Sequence, residues 1–93
     1  MITATQKIYI KDVAVVLSEV LIGSEYRTLV TRRSILGGKI YDKIIDVNIG
    51  RIMAYYHKQQ EVLIQDHFPE LSDEDRDFIL LGLRYDDNGD LIT

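Results

Sequence analysis

The sequence has 93 residues, with no cysteine, one proline, 46% hydrophobic and 28% charged residues, and a net charge of −4. This length fits one domain, and the balance of apolar and charged residues is typical of a globular chain. The composition excludes disulfides and thiolate chemistry, and the sequence lacks both a basic leader and an apolar run of about 18 residues, so it predicts a cytoplasmic protein without a membrane segment.

The charge is distributed unevenly along the chain. Residues 1–60 hold nine Lys/Arg against five Asp/Glu, whereas residues 61–93 hold two against ten. The first part therefore carries +4 and the second −8. Such polarity can steer a partner or favour self-association.

The sequence pattern of the N-terminal part, from Thr5 to Arg33, is compatible with both strands and helices. Residues Thr5 to Ile10 alternate polar and apolar, which predicts a short strand. From Asp12 the apolar residues recur at helical spacing, which predicts a helix that ends at Gly23. A pair of buried strands fits the same residues. The apolar residues are Val13, Val16, Leu17, Val20 and Leu21. The segment from Ser24 to Arg33 fits a strand and a helix capped by Ser24 about equally well, and the pattern does not decide between them.

A loop is predicted from Ser34 to Gly38, because Gly37 and Gly38 weaken any element through them. A long central helix is predicted after it, from apolar residues at three-and-four spacing: Tyr41, Ile45, Ile49, Ile52, Met53, Tyr56 and Leu63. A second face of this helix is also apolar and holds Ile40, Ile44, Val47 and Tyr55. The predicted fold class is mainly α, with α+β as the alternative and one or two short N-terminal strands.

The clearest local signal begins after Pro69. Ser72, followed three residues later by Asp75, has the form of a capping box, and Asp73 and Glu74 complement the helix dipole. An acidic helix is predicted from there to about Gly82. Residues 1–85 are predicted to form one globular domain, and residues 86–93, centred on Asn88 and Gly89, a terminal hairpin, turn or mobile tail.

The sequence offers little catalytic chemistry. His57 and Glu61 could share a surface cation with Asp66 and His67, but metal sites usually show closer spacing or more ligands. The glycine loop lacks the first glycine and the Ser/Thr of a phosphate-binding P-loop. No catalytic residue, metal or cofactor is therefore predicted, and the protein is expected not to be an enzyme.

The only concentrated basic region lies around the glycine loop. It comprises Arg32, Arg33, Lys39 and Lys43. Basic clusters favour phosphate, so a small nucleic-acid-binding regulator is the alternative function. A solvated surface explains the same residues, and the acidic C-terminal part would repel DNA.

Two sets of residues could contact a protein partner. One is the acidic set Asp73, Glu74 and Asp77, which could engage a basic groove or merely be solvated. The other is the apolar set Ile49, Met53 and Tyr56 on the long helix, through which we expect a homo-oligomer, preferably a dimer. The expected partners are thus a second copy and an unidentified protein.

The segment from Leu71 to Leu83 reads LSDEDRDFILLGL and resembles a recurrent tail of small bacteriophage or mobile-element accessory proteins. The resemblance implies a phage accessory factor in the host cytoplasm that binds a host protein. It carries over no functional residue. The function expected from the sequence is a non-enzymatic protein–protein interaction module.

Overall fold

The computed structural model describes residues 3–10, 14–58 and 61–92, with side chains described from Ile8 onward. Along the chain the elements are β1 (Thr3–Ile10), β2 (Val15–Ile22), β3 (Glu25–Arg33), β4 (Ile40–Ile45), α1 (Ile49–His57), α2 (Ile64–His67), α3 (Asp73–Leu81), β5 (Arg84–Tyr85) and β6 (Leu91–Ile92). The fold is α+β, so the prediction of a mainly α protein is wrong.

The first four strands form an antiparallel sheet in the order β1-β2-β3-β4. Ile22 faces Glu25 across the β2–β3 hairpin, which leaves a loop of two residues. The first of them, Gly23, has φ +63°. A glycine suits this position because a side chain strains such a backbone. Gly23 therefore turns a hairpin, whereas the sequence had placed it at the end of a helix.

The helix predicted from Asp12 is wrong in its described part. Residues 15–22 form β2, which pairs with both β1 and β3, while Asp12 and Val13 lie outside the described residues. The strand is rich in β-branched residues, which pack well on a pleated sheet. Almost every position is apolar on both faces, so periodicity alone could not separate strand from helix. The strand predicted at Thr5–Ile10 is present and begins at Thr3.

The long central helix is also wrong. Its first part is strand β4, and a helix begins only at Ile49, where the Asn48 side chain accepts a hydrogen bond of 2.7 Å from the Gly50 amide. The Asn48 cap interrupts the helical pattern, and the isoleucines of β4 fit the two-residue period of a strand equally well. Helix α1 ends at His57, and α2 is a separate short helix; residues 59 and 60 lie outside the described residues.

The acidic helix is confirmed. The Ser72 hydroxyl accepts from the Asp75 amide at 3.2 Å, and Gly82 ends the helix with φ +73°.

Beyond α3, β5 pairs with β6 around a turn in which the Asp86 carboxylate accepts from the Asn88 and Asp90 amides. The Tyr85 hydroxyl donates to Asp77 at 2.9 Å. The hairpin is therefore attached to α3.

The core lies between the helices and one face of the sheet. The sheet contributes Ile10, Val15, Leu17, Val30 and Ile45, and the helical part contributes Ile49, Ile52, Tyr55, Tyr56, Phe68, Leu71, Phe78 and Ile79. None of the helices in the described ranges is long and apolar enough to cross a membrane.

The C-terminal end of α3 is bound by the buried side chain of Arg32. Its Nη1 donates to the carbonyl oxygens of Ile79 and Leu80 at 2.9 and 3.0 Å, and its Nε donates to the Arg33 carbonyl at 3.1 Å. The last carbonyls of a helix lack partners within the helix and carry partial negative charge, so a cation there is stabilising. Arg32 therefore joins the sheet to α3.

Candidate interaction surface

The sheet has an inner face, which is covered, and an outer face. The inward residues of β3 are Tyr26, Thr28, Val30 and Arg32, and all except Tyr26 at the hairpin end are buried. The buried apolar residues of α1 and α3 all belong to the core on this inner face. Within the described ranges, the helices thus cover one side of the sheet only.

The outer face carries apolar and polar residues, and two residues at its centre, Ser18 and Val20, are only 6% and 1% exposed. Its described residues are Tyr9, Val16, Ser18, Val20, Ile22, Glu25, Arg27, Leu29, Thr31, Arg33, Ile40, Asp42 and Ile44. An antiparallel sheet with one solvated face usually alternates apolar and polar residues, which makes that face polar. Here seven of the thirteen residues are apolar. The face therefore has the composition of a surface that another layer covers.

Two large apolar side chains stand exposed at one end of this face. Tyr9 on β1 is 62% exposed and Ile40 on β4 is 61% exposed. Together with Ala14, Val16, Thr31, Arg32 and Arg33 they line a hollow of about 220 Å³. Ala14 at its border has φ +52°, an unusual backbone for a residue with a side chain. The hollow could receive an apolar side chain.

Some charged side chains of the outer face form ion pairs, and others do so with no described residue. Arg27 forms ion pairs with Glu25 at 2.7 Å and Asp46 at 3.1 Å. Arg33 and Asp42 are both exposed and have no oppositely charged partner among the described residues. Arg33 donates to the Gly38 carbonyl at 2.6 Å, which orients its side chain over the glycine loop. Within the described part of the chain, one cation and one anion of this face thus lack an oppositely charged partner.

The four basic residues singled out in the sequence do not form one cluster. Arg32 is buried under α3, and Lys43 forms an ion pair of 2.7 Å with Asp75. Only Arg33 and Lys39 are exposed. Two exposed cations form a small target for a phosphate backbone.

The acidic residues of α3 lie along a different surface. Asp73 and Glu74 are exposed, and Asp77 is partly buried beneath Tyr85. Asp73 and Asp77 line an open groove of about 450 Å³ together with Ile64, Gln65 and Arg76. Arg76 lies within 3.5 Å of Asp73, so it offsets part of the negative charge of the groove.

The apolar set predicted on the long helix belongs to the core. Ile49 and Tyr56 are buried, and Met53 packs against the same core. The Tyr56 hydroxyl donates to the Ile79 carbonyl at 2.5 Å. Burial raises the pKa of Tyr56 well above its ordinary value, and the nearby Arg32 offsets part of this rise. These residues stabilise the fold from the inside, so a contact surface must be sought elsewhere.

The titratable groups with shifted pKa values have structural partners. Burial raises the pKa of Tyr55, and the hydrogen bond to Asp77 raises that of Tyr85. The Arg51 guanidinium, bound to Glu70 at 2.9 Å, lowers the pKa of that carboxyl. No group of three His, Asp or Glu residues in the described part of the chain is placed to hold a metal ion.

Comparisons with known protein families, curated proteins and solved structures find no match.

The surface residue that sequence reasoning missed is Tyr9. The available signal was an aromatic residue on the face of β1 opposite Ile8 and Ile10. Ile40 and Ile44 were noticed as an apolar excess, but they were assigned to a second face of a helix.

Proposed function

We propose that this protein is a non-enzymatic protein–protein interaction module that binds its partner through the outer face of the sheet. The supporting observation is the apolar outer face, with Tyr9 and Ile40 both more than half exposed at its end. Exposed apolar side chains that lie close together are typical of a binding surface. Aromatic residues are enriched among those that carry binding energy.

The exposed large apolar side chains of this face are Tyr9 and Ile40. Covering a side chain such as isoleucine or tyrosine fully contributes roughly 1.5 to 3 kcal/mol. Each of the two still has about three fifths of its surface to cover. The half-buried residues Val16, Leu29 and Ile44 add area around them. By contrast, Arg32 and Lys43 are engaged within the molecule, which weakens the case for nucleic-acid binding.

Site-specific photocrosslinking in cells of the source organism tests this proposal. Photoreactive benzoylphenylalanine replaces Ile40 in one variant and Leu63 in the other, because Leu63 is also 61% exposed but precedes α2. We expect a discrete protein adduct from position 40 and none from position 63. No adduct at position 40, or the same adducts at both positions, would contradict the proposal.

A further inference from the structure

We infer that Arg84 closes the free edge of the four-stranded sheet, and that this edge pairs with β4 of a second copy of the chain once the Arg84 side chain is removed. The surface is the backbone edge of β4, and it differs from the side chains of the outer face on which the proposed function rests. A strand edge is recognised through its alternating backbone N–H and C=O groups, so its ligand is another extended strand.

The hydrogen-bond pattern shows which backbone groups lie along this edge. β4 pairs with β3 and, among the strands that the structure describes, with no other. Just beyond the ends of the two strands, the Ser34 amide donates to the Lys39 carbonyl at 2.8 Å, so these two residues form a hydrogen-bonded pair. Bonded and non-bonded pairs alternate along an antiparallel ladder. The residues of β4 whose N–H and C=O groups point away from β3 are therefore Ile40, Asp42 and Ile44.

Arg84 occupies the middle of this edge. Its Nη1 donates to the Asp42 carbonyl at 3.0 Å, a length typical of the bonds between strands. Its guanidinium carbon lies 5.9 Å from the centroid of the Tyr41 ring, within the range of a cation–π contact. Arg84 thus supplies the donor that a fifth strand would supply. A strand that paired with the Asp42 carbonyl would have to displace this guanidinium.

The C-terminal hairpin and α3 set the position of Arg84. Arg84 pairs with Ile92 in the hairpin formed by β5 and β6. The next residue, Tyr85, donates to Asp77 of α3 at 2.9 Å. The arginine is therefore placed by the fold and does not reach the edge from a loose end of the chain.

The two edges of the sheet differ in regularity. β1 shifts its register between Ala4 and Gln6, and such an irregularity disturbs an edge and hinders further pairing. All six residues of β4 pair with β3 in one unbroken register. A regular edge strand without a blocking group is a template for another chain. Two antiparallel copies of β4 present the same groups to each other about a two-fold axis, so a second copy fits this edge.

Sedimentation equilibrium from about 1 micromolar to 1 millimolar compares the unchanged protein with Arg84→Met. We expect Arg84→Met to self-associate more strongly by roughly tenfold or more, because it removes the blocking donor. Arg27→Met is the matched control, since it removes the same charge from β3, which is paired on both sides. It should associate like the unchanged protein. Circular dichroism establishes that the variants are folded, and an Arg84→Met variant that gains no association overturns the inference.

Proline separates pairing at the edge from association through another surface. In the Arg84→Met protein, Asp42→Pro removes an N–H that points away from β3, so it spares the ladder and should abolish the gained association. Asp42→Asn removes the same charge and keeps the N–H, so the gained association should persist. Equal association of the two double variants would show that the copies meet elsewhere and would overturn the inference.

Amide hydrogen exchange followed by NMR observes the edge directly. In the unchanged protein the amides of Ile40 and Ile44 should exchange roughly tenfold or more faster than those of Tyr41 and Lys43, which face β3. In Arg84→Met at about 1 millimolar, the Ile40 and Ile44 amides should become protected. Association without this protection contradicts edge pairing. Because these experiments use the purified chain alone, their failure leaves the crosslinking test of the proposed function unaffected.

Discussion

Arg32 and Tyr56 donate hydrogen bonds to the same acceptor, the carbonyl oxygen of Ile79, at 2.9 and 2.5 Å. The two donors belong to β3 and α1, and the acceptor belongs to α3. A single carbonyl near the end of a helix therefore connects three elements that are distant in sequence. The charge of the guanidinium is met by helix carbonyls, since no carboxylate pairs with Arg32 among the described residues.

Arg32→Met should lower the free energy of unfolding by about 2 to 4 kcal/mol, because it removes the Arg32 donor from the Leu80 carbonyl and leaves the Ile79 carbonyl with Tyr56 alone. The neighbouring variant Arg33→Met is the control. Arg33 is exposed, so its replacement should change stability by about 0.5 kcal/mol or less. Urea denaturation of both variants at low protein concentration measures the difference, and equal losses would contradict the role assigned to Arg32.

Tyr56→Phe should cost about 1 kcal/mol at neutral pH through loss of one hydrogen bond. The pKa of Tyr56 is raised in the folded protein, so the unfolded chain loses this proton first as the pH rises through its ordinary value of 10.0. Above that pH the stability contributed by the unchanged tyrosine falls by about 1.4 kcal/mol per pH unit. Urea denaturation at several values from pH 8 to about 11 measures the free energy of unfolding of the unchanged protein and of Tyr56→Phe. The difference between the two should become smaller as the pH rises. A constant difference would contradict the raised pKa.

Gly82→Ala should be far more damaging than Gly23→Ala. Both glycines have positive φ, so both substitutions strain the backbone by about 1 to 2 kcal/mol. A Cβ at Gly82 would also lie 2.8 Å from the Arg33 carbonyl oxygen and 2.9 Å from Ser34 Cα, whereas a Cβ at Gly23 meets nothing within 4 Å. Thermal and urea denaturation should give an extra loss of about 1 to 3 kcal/mol at Gly82. Similar losses would show that the end of α3 yields to accommodate the methyl group.

Ser72→Ala should lower stability by about 1 kcal/mol, because it removes the acceptor for the Asp75 amide. The double variant Asp73→Asn with Glu74→Gln should change it by only a few tenths of a kcal/mol, since both carboxylates are exposed. Ser72→Asp keeps an acceptor and should retain most of the stability. If the serine and charge variants proved equal in urea denaturation, the helix start would depend on charge and not on the cap.

The ion pair between Lys43 and Asp75 should contribute a coupling energy of about 0.5 to 1 kcal/mol, because both side chains are only partly exposed. A double-mutant cycle with Lys43→Met and Asp75→Asn measures it, and the coupling should fall when the salt concentration is raised. No coupling at low salt would contradict the pairing. The pair also shows that the basic and acidic parts of the chain meet within the molecule.

The sequence predicted the features that depend on neighbouring residues. Ser72 and Gly82 mark the ends of α3 through backbone groups of the same helix, so the pattern of a few residues was enough. The prediction was wrong between Ile40 and His57, because the isoleucines there fit both the period of a strand and that of a helix. Asn48, which caps α1, was also not recognised as the start of the helix. The outer face could not be assembled from the sequence, because Tyr9 and Ile40 come together only through the pairing of all four strands.

The bond between Arg32 and Ile79 joins residues 47 positions apart. Ribosomes add about 5 to 20 residues per second, so Arg32 exists for roughly 2 to 9 seconds before its acceptors have been made. Before that interval ends the fourth strand has also been made, but the inner face of the sheet contains a charge that is costly to bury without a partner. The new chain therefore completes its core only when the last helix, which contributes Phe78 and Ile79, has been made.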